Sequence, residues 1–245
     1  MRTLHVLSYS PWSERARWAL LHHQVAFRER QHVPLIGELA LRFRSGVWKG
    51  KASVPLLTTS EGAVRESRPI AEYAETTGKG SSLLPVEKRK AIAVLDDRIE
   101  AVVHAGRGFV LSAIMEHDDA AVASLPRSLR WLPFGAASAR LGTWFVARKY
   151  RSAPGGLSDS LQEGLRFVEA TLAGRDYVHS EFTYADILCA SALQFVNPVD
   201  DRYVPLEPAL RKRFTQPDFV RAFPALFDWR DALYAKHRPV GLLVV

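Results

Sequence analysis

The stretch SYSPWSERARWAL, residues 8–20, stands where one structural pattern gives way to another. Before it, Arg2–Leu7 is a short apolar run that predicts a strand, whereas Trp12–His23 carries apolar residues at helical spacing. Proline is favoured in the first turn of a helix, so Ser10-Pro11 marks the predicted junction. A strand is therefore expected to lead directly into a helix. The residues on the apolar face of that helix are Trp12, Ala16, Ala19 and Leu20.

The next sixty residues continue to alternate short strands with helices. Further strands are predicted at Val25–Arg30, Val54–Thr58 and Ala63–Arg65, and helices at Leu35–Phe43 and Ser67–Thr77. The turn residues Ser60-Glu61-Gly62 indicate a β-hairpin between the last two strands. This order predicts a small α/β layer whose first two strands are parallel.

The pattern changes near residue 78. Gly78–Pro85 has the composition of a short linker, and beyond it the apolar residues follow helical spacing only. We therefore expect an α/β domain over residues 1–78, a linker over 79–86 and an all-helical domain over 87–245. Helical spacing is clearest at Ile92, Leu95, Ile99, Val102 and Val103, and again at Leu161, Leu165, Val168 and Leu172.

Composition excludes several classes of protein. Hydrophobic residues make up 47% of the 245 residues and charged residues 24%, which is typical of a packed globular protein and excludes a disordered chain. The single cysteine, Cys189, excludes an intramolecular disulfide, a Cys-x-x-Cys redox pair and a zinc site built on several thiolates. Neither a secretory leader nor a membrane-spanning run is predicted, so we expect a cytoplasmic protein.

Four local patterns resemble one family. They are the Ser8–Leu20 stretch, Ser53-Val54-Pro55-Leu56-Leu57, Glu66-Ser67, and Phe182–Ile187 in the helical half. In this order and spacing they resemble the cytosolic glutathione S-transferases, and the first pattern is similar to the serine- and cysteine-type branches, including the zeta and omega classes. The resemblance covers residues 1–78 well and 85–240 loosely. It implies a thioredoxin-like glutathione-binding domain, a helical domain that holds the acceptor substrate, and a homodimer.

The resemblance implies that Ser10 activates the thiol of glutathione. Its hydroxyl would donate to the sulfur at the N-terminus of the first helix, where the helix dipole also favours an anion. Ser13 and Tyr9 are the alternatives. From the residues alone, either serine could simply cap the helix, and for Ser13 capping is the preferred interpretation.

The same resemblance implies the rest of the glutathione site. Val54-Pro55 would be a cis dipeptide whose Val54 backbone pairs with the cysteinyl unit, and Glu66 and Ser67 would bind the γ-glutamyl amine and carboxylate. Lys51 is a candidate for the glycyl carboxylate, although it lies farther from Val54-Pro55 than the family pattern requires. Without the resemblance, these residues would be a strand-opening proline, a solvated acid, a helix N-cap and a surface lysine.

The helical half contains a basic segment without acidic residues, residues 120–158, which carries six positive charges and several aromatic residues. Such a segment could be a solvated face over core aromatics, a wall of an acceptor pocket, or a surface for single-stranded nucleic acid or an anionic membrane. Nucleic-acid and membrane binding are the least expected of these. The residues expected to line an acceptor pocket are Trp12, Phe109, Trp131 and Trp144.

Two further features are given structural interpretations. Thr183 and Asp186 have the spacing of a helix capping box, with Phe182 expected to pack on Ile187, and Cys189 follows on an apolar helix face as a buried residue. No metal is expected, because the adjacent His22 and His23 point to different helix faces. The sequence therefore predicts a glutathione transferase acting on a small apolar electrophile, or alternatively a noncatalytic binding protein with the same fold.

Overall fold

Four strands of the first half form a single mixed sheet. The computed structural model describes residues 1–34, 36–126, 130, 135–150 and 158–241. The elements of the first half are β1 (Thr3–Val6), α1 (Pro11–His22), β2 (Arg28–Gln31), α2 (Glu38–Ser45), β3 (Leu56–Thr58), β4 (Ala63–Arg65) and α3 (Ser67–Thr77). The sheet order is β2-β1-β3-β4, with β1 and β2 parallel and the other two pairs antiparallel. The predicted parallel pair and the β3–β4 hairpin are both confirmed.

The second half of the described chain consists of helices. They are α4 (Arg89–Glu116), α5 (Asp118–Ser124), α6 (Gly135–Tyr150), α7 (Ser158–Leu172), α8 (Tyr184–Ala192), α9 (Pro208–Phe214), α10 (Pro217–Ala222) and α11 (Pro224–His237), with a short 3-10 turn at Leu193–Phe195. The long helix α4 packs against α7 and α8. The architecture is therefore a thioredoxin-like α/β layer followed by a helical half, as predicted.

Helix α1 lies between the sheet and the helical half. It is buried along most of its length because α3 covers one side and α8 another. Three charged side chains are buried with it and are compensated by partners from both halves. Arg15 donates to Ser191 at 2.8 Å and to Glu100 at 2.5 Å, and Glu14 accepts from Arg238 at 2.7 Å. Arg17 pairs with Glu29 at 2.7 Å. The apolar face predicted for α1 thus describes only part of its buried surface.

The end of α3 approaches the end of α1 closely. A Cβ atom on Gly78 would lie 2.2 Å from the carbonyl oxygen of His23, so this position requires glycine. The Lys79 N–H then donates to the same carbonyl at 2.7 Å. Leu83 and Leu84, inside the predicted linker, are buried in the common core. The linker is consequently packed against the body of the molecule.

Two predicted elements are shifted in the structure. β2 begins at Arg28, not at Val25, because the Val25 N–H bonds the Leu20 carbonyl and Val25 itself is buried behind the end of α1. α2 begins at Glu38, after a turn closed by the Gly37 N–H on the Val33 carbonyl at 2.8 Å. Leu35, where this helix was predicted to begin, lies outside the described residues.

Candidate functional site

A cleft of about 760 Å³ lies between the sheet domain and the helical half. Its walls come from the start of α1, the loop before β3, the start of α3, and helices α4 and α6. Eight residues singled out from the sequence line it: Tyr9, Ser10, Trp12, Lys51, Val54, Pro55, Glu66 and Ser67. Three separate segments of the chain therefore converge on one cleft.

Ser10 occupies the N-cap position of α1. Its backbone is extended (φ −76°, ψ 127°), and its side chain makes no capping hydrogen bond to the helix. The Ser10 N–H donates to the Leu7 carbonyl at 2.9 Å, which fixes the turn between β1 and α1. Only 5% of the residue is exposed, although it lines the cleft. The hydroxyl is thus placed at the positive end of α1 without serving as its cap.

The two alternatives to Ser10 have different surroundings. The prediction that Ser13 caps the helix is wrong, because α1 begins at Pro11 and Ser13 lies within its first turn. Ser13 is fully buried, and its hydroxyl accepts a hydrogen bond from the Leu7 N–H at 3.2 Å. Ser13 is also not among the described residues that line the cleft. Tyr9 does line it, packs edge-on against Phe214 with ring centroids 5.6 Å apart, and burial raises the pKa of its phenol to about 12.

The loop before β3 contributes a backbone edge. The Val54–Pro55 peptide bond is cis, as predicted. Val54 and Lys51 both line the cleft, and Lys51 is exposed. The cis bond turns the chain immediately before β3 at the wall of the cleft.

The start of α3 carries an unusual backbone conformation. Glu66 has φ 71°, a left-handed conformation that a non-glycine residue adopts only at an energetic cost and often at a functional site. It holds the N-cap position of α3, so Ser67 is the first helical residue and its predicted role as the N-cap is wrong. Both line the cleft, next to the N–H groups that a helix start leaves without helical partners.

One stripe of α4 forms the opposite wall. Residues along it change from acidic through basic to apolar: Asp96, Asp97, Glu100, His104, Arg107, Val110, Leu111 and Ile114. Fourteen residues separate Glu100 from Ile114, which corresponds to about 21 Å of helix. The cleft is therefore polar beside α1 and apolar farther along α4.

Trp12 links α1 to this wall. Its indole N–H donates to the Glu100 carboxylate at 2.7 Å, and the Arg107 guanidinium lies 4.3 Å above the centre of its ring. The Arg107 guanidinium also contacts the His104 ring nitrogen. Burial, followed by the positive charge of Arg107, lowers the pKa of His104. The ring that the Arg107 guanidinium covers thus belongs to Trp12, two positions after Ser10 along the chain.

Helix α6 meets α2 across the cleft. The Lys149 ammonium lies 2.9 Å from the Glu38 carboxylate and also donates to the Ala52 carbonyl. His32 lines the cleft nearby, and burial together with the charge of Lys149 lowers its pKa to about 4. The imidazole of His32 is consequently neutral at pH 7.

The aromatic residues predicted to line an acceptor pocket are only partly brought together. Trp12 lines the cleft, whereas Phe109 packs against Phe219 with ring centroids 6.4 Å apart and Trp144 is 52% exposed; neither is among the cleft-lining residues described. The reason is helical phase, since Phe109 lies two positions from Arg107 and therefore faces away from the stripe. Trp131 lies outside the described residues.

Several functional candidates were missed by the sequence analysis, above all the polar residues of the α4 stripe. A signal for them exists, because Asp96, Glu100, His104 and Arg107 follow helical spacing on a face other than that of Ile92, Leu95 and Ile99. The Glu38–Lys149 contact has no comparable signal, since 111 positions separate the two residues.

The predicted capping box lies at the start of α8 and does not line the cleft. Asp186 accepts hydrogen bonds from the Thr183 and Val178 N–H groups at 2.8 and 2.7 Å, within the predicted capping box. Cys189 is fully buried, and burial raises the pKa of its thiol. Over the part of the chain that the structure describes, no cluster of three or more His, Cys, Asp or Glu residues is placed to hold a metal. None of the described helices combines the length and the apolar character needed to span a bilayer.

Residues 9–77 match the family model described as glutathione S-transferase, N-terminal domain. No curated protein sequence matches the chain.

Solved glutathione transferases share the fold over nearly the whole chain. One from Ceriporiopsis subvermispora, in complex with glutathione, has a TM-score of 0.67 and 15% identity, covering 98% of both chains. A second, from Phanerochaete chrysosporium, has a TM-score of 0.65 and 16% identity, covering 98% of this chain and 99% of the other. A third, from Pseudomonas fluorescens with bound glutathione, has a TM-score of 0.57 and 19% identity, covering 98% of this chain and all of the other. The chain therefore has the fold of the glutathione S-transferases, and residues 9–77 match that family's N-terminal domain.

Proposed function

We propose that the protein binds glutathione in the cleft and catalyses the attack of its thiolate on an apolar electrophile. The observation that carries this proposal is the convergence of Ser10, the cis Val54–Pro55 dipeptide and the Glu66-Ser67 pair on one cleft. The match to the glutathione S-transferase N-terminal domain supports it.

The polar end of the cleft suits the two ends of the tripeptide. At the start of α3, Ser67 and the free N–H groups of the first turn would bind the γ-glutamyl carboxylate, and Glu66 would bind the amine. The left-handed Glu66 directs the chain so that both residues line the same wall. The Val54 backbone would pair with the cysteinyl unit, and Lys51 would face the glycyl carboxylate.

The dimensions of the cleft suit such a guest together with an acceptor. Small-molecule sites commonly enclose roughly 300–1,000 Å³, and this cleft encloses about 760 Å³. Charged and hydroxyl groups line its polar end, and apolar side chains of α4 and α6 line its other end. A tripeptide at the polar end would therefore present its sulfur toward an apolar chamber.

Ser10 would favour the thiolate over the thiol. Lowering a thiol pKa from about 8.5 by about 2 units requires roughly 2.7 kcal/mol of differential stabilisation. A hydrogen bond to a charged atom contributes about 1.5–3 kcal/mol, and the N-terminus of α1 adds a favourable dipole. The sulfur lone pair then forms the new carbon–sulfur bond as the leaving group departs with its electron pair, and the thiol proton passes to solvent.

A second function, glutathione binding without turnover, is favoured by one specific observation. Ser10 is only 5% exposed, which restricts the approach of a sulfur atom to its hydroxyl. The two functions differ in turnover, not in glutathione binding. The expected homodimer follows from the resemblance alone, and sedimentation of the purified protein tests it.

The test combines retention on immobilised glutathione with turnover of an aryl-halide acceptor. Ser10→Ala should reduce turnover at pH 7 by roughly tenfold to a hundredfold, corresponding to the lost hydrogen bond to sulfur, and move the pH–rate profile upward. Glutathione affinity should change little. Ser8→Ala is the matched control, because Ser8 is two residues away and is not among the cleft-lining residues.

Two outcomes would decide against this assignment. Retention without turnover of any acceptor would identify a binding protein. Unchanged turnover in Ser10→Ala, with activity lost in Tyr9→Phe, would transfer the hydroxyl role to Tyr9.

A further inference from the structure

The outer side of α2 exposes large apolar side chains. Ile36, Leu39, Phe43 and Trp48 are each between 65% and 75% exposed. They account for four of the ten exposed large hydrophobic residues of the described chain and fall within 13 positions. We call these four residues the α2 face. Contiguous exposed apolar surface of this kind marks an interaction site more often than isolated residues do.

The geometry of α2 places these side chains together. Leu39 and Phe43 lie one helical turn apart, whereas Leu41 between them is buried on the opposite side. Trp48 lies in the loop that follows, which is tied back to the helix because the Arg42 guanidinium donates to the carbonyls of Trp48 and Gly50 at 3.3 and 3.0 Å. The α2 face is thus a fixed part of the fold.

Helix α6 extends this surface across the mouth of the cleft. Leu141 and Trp144, one turn apart on α6, are 54% and 52% exposed. Ile36 and Leu141 both line the cleft, from the α2 side and the α6 side respectively. The Lys149–Glu38 contact joins the two elements. Apolar side chains therefore rim both lips of the cleft.

Positive charge surrounds the apolar rim. The segment from α2 to the loop before β3, residues 38–51, and helix α6 together carry seven basic residues and one acidic residue. That acid, Glu38, is already paired with Lys149 and with Arg42, and Arg140 is paired with Asp118 of the neighbouring helix α5. The basic residues are Arg42, Arg44, Lys49, Lys51, Arg140, Arg148 and Lys149. The rim therefore combines exposed leucine, phenylalanine and tryptophan side chains with a positive field.

We infer that the α2 face and the exposed side of α6 dock on an anionic membrane surface. Apolar and aromatic side chains flanked by lysine and arginine are the combination that inserts at the boundary between headgroups and acyl chains. A second copy fits less well, because a two-fold contact through this surface would bring two basic patches together. Single-stranded nucleic acid fits less well too, since half of the exposed apolar side chains of this surface, those of Ile36, Leu39 and Leu141, offer no aromatic plane for base stacking. Of the aromatic side chains, Trp144 already has the Arg148 guanidinium 5.7 Å from its ring centre.

Docking in this orientation turns the mouth of the cleft toward the lipid. The apolar chamber along α4 and α6 would then open onto the bilayer, and acceptors dissolved in the membrane would enter without crossing water. This inference adds a partner to the proposed function and does not depend on the chemistry within the cleft.

Vesicle co-sedimentation tests the inference on the full chain. The protein should bind phosphatidylcholine vesicles that contain phosphatidylglycerol and not vesicles of phosphatidylcholine alone, and added salt should weaken binding. The double variant Leu39→Ser/Phe43→Ser should lower the partition coefficient by roughly tenfold or more, because two apolar side chains no longer insert. Lys49→Gln should lower it by about threefold to fivefold.

A matched double variant controls for loss of apolar surface in general. Val86 and Val94 are 78% and 57% exposed and lie outside the α2 face, so Val86→Ser/Val94→Ser should leave vesicle binding unchanged. Both double variants should keep their retention on immobilised glutathione, which separates this test from that of the proposed function.

Four results would overturn the inference. They are absence of binding to the anionic vesicles at low salt, equal loss in the two double variants, a wild-type dimer that Leu39→Ser/Phe43→Ser dissociates, and binding of a single-stranded oligonucleotide that the same variant abolishes. The third result would assign the face to a second copy and the fourth to nucleic acid.

Discussion

The two walls of the cleft are built in different ways. The wall of the sheet domain is made from short contiguous motifs, Ser10 at the start of α1, Val54–Pro55 and Glu66-Ser67, in which the backbone is as important as the side chains. The helical wall is made from side chains spaced along α4, with Arg107 over Trp12 and Glu100 anchoring the indole. The first wall can therefore vary little without loss of its shape, whereas the second can change its chemistry by substitution.

This difference assigns separate roles to the two walls. Backbone groups at helix starts suit a constant ligand such as the tripeptide proposed here. A helix stripe that changes from charged to apolar suits selection among acceptors, because a substitution there changes a side chain of the wall without changing the path of the backbone. Substitutions in one wall should therefore affect one ligand and spare the other.

The largest expected effect comes from a substitution at Asp186, whose hydrogen bonds support the helical half of the molecule. Asp186→Ala would leave the Val178 and Thr183 N–H groups buried without an acceptor, which should lower the free energy of unfolding by about 3–5 kcal/mol. Urea denaturation measures the change. Asp228→Ala, an exposed acid on α11, should cost less than about 0.5 kcal/mol. Equal effects in the two variants would contradict a special role for the capping box.

The second prediction concerns the wall of the sheet domain. Ser67→Ala should weaken glutathione binding by roughly tenfold or more, because a hydrogen bond to a carboxylate is lost, while the KM for the acceptor stays unchanged. Calorimetric titration and steady-state kinetics measure the two quantities. Thr77→Ala, at the exposed other end of α3, is the control. A larger effect on the acceptor than on glutathione would remove the distinction between the walls.

The third prediction is the counterpart on the helical wall. Arg107→Met should raise the KM for an aryl acceptor by about fivefold to tenfold through loss of the cation above Trp12, and leave glutathione affinity unchanged. Arg98→Met is the matched control, since Arg98 lies on the same helix and over the Phe167 ring but does not line the cleft. The assignment fails if both arginine variants change the acceptor KM alike.

The smallest expected effect depends on pH. His5 on β1 is 5% exposed, and burial followed by the charge of Arg44 lowers its pKa to about 4. His5 binds a proton more readily in the unfolded chain than in the folded protein. The free energy of unfolding therefore keeps its full value above about pH 6.5 and decreases as the pH falls from 6.5 toward 4. Between neutral pH and pH 4.5, wild type should lose on the order of 1 kcal/mol more stability than His5→Gln.

Thermal or urea unfolding at several pH values measures this difference. Parallel pH curves for wild type and His5→Gln would show that His5 does not cause the acid sensitivity.

Most of the sheet domain could be predicted from the sequence, and the reason is that its signals are local. The Ser60–Gly62 turn, the Ser10-Pro11 helix start and the change of period near residue 78 each depend on neighbouring residues. The errors also have local causes. The predicted start of β2 is too early because Val25 has a side chain typical of strands but is buried in the core behind α1. Ser13 has a side chain typical of helix caps, but its hydroxyl accepts from the N–H of Leu7, the residue that follows β1.

The helical wall was predicted less well because its contacts join distant residues. The spacing of Asp96, Glu100, His104 and Arg107 indicates a polar helix face, but not what that face meets. Phe109 and Trp144 were selected for their aromatic character, whereas helical phase directs them away from the cleft. The exposure of the apolar residues of α2 likewise depends on packing, which the sequence analysis does not address.

The sequence by itself determined the order of strands and helices, the parallel start of the sheet and the positions of the three motifs, because each depends on residues a few positions apart. Only the tertiary structure decided that Arg107 lies over Trp12, that Lys149 reaches Glu38 across the cleft and that the apolar side of α2 faces outward. Those features depend on how the helices pack against the sheet, and packing joins residues whose separation along the chain carries no signal of their contact.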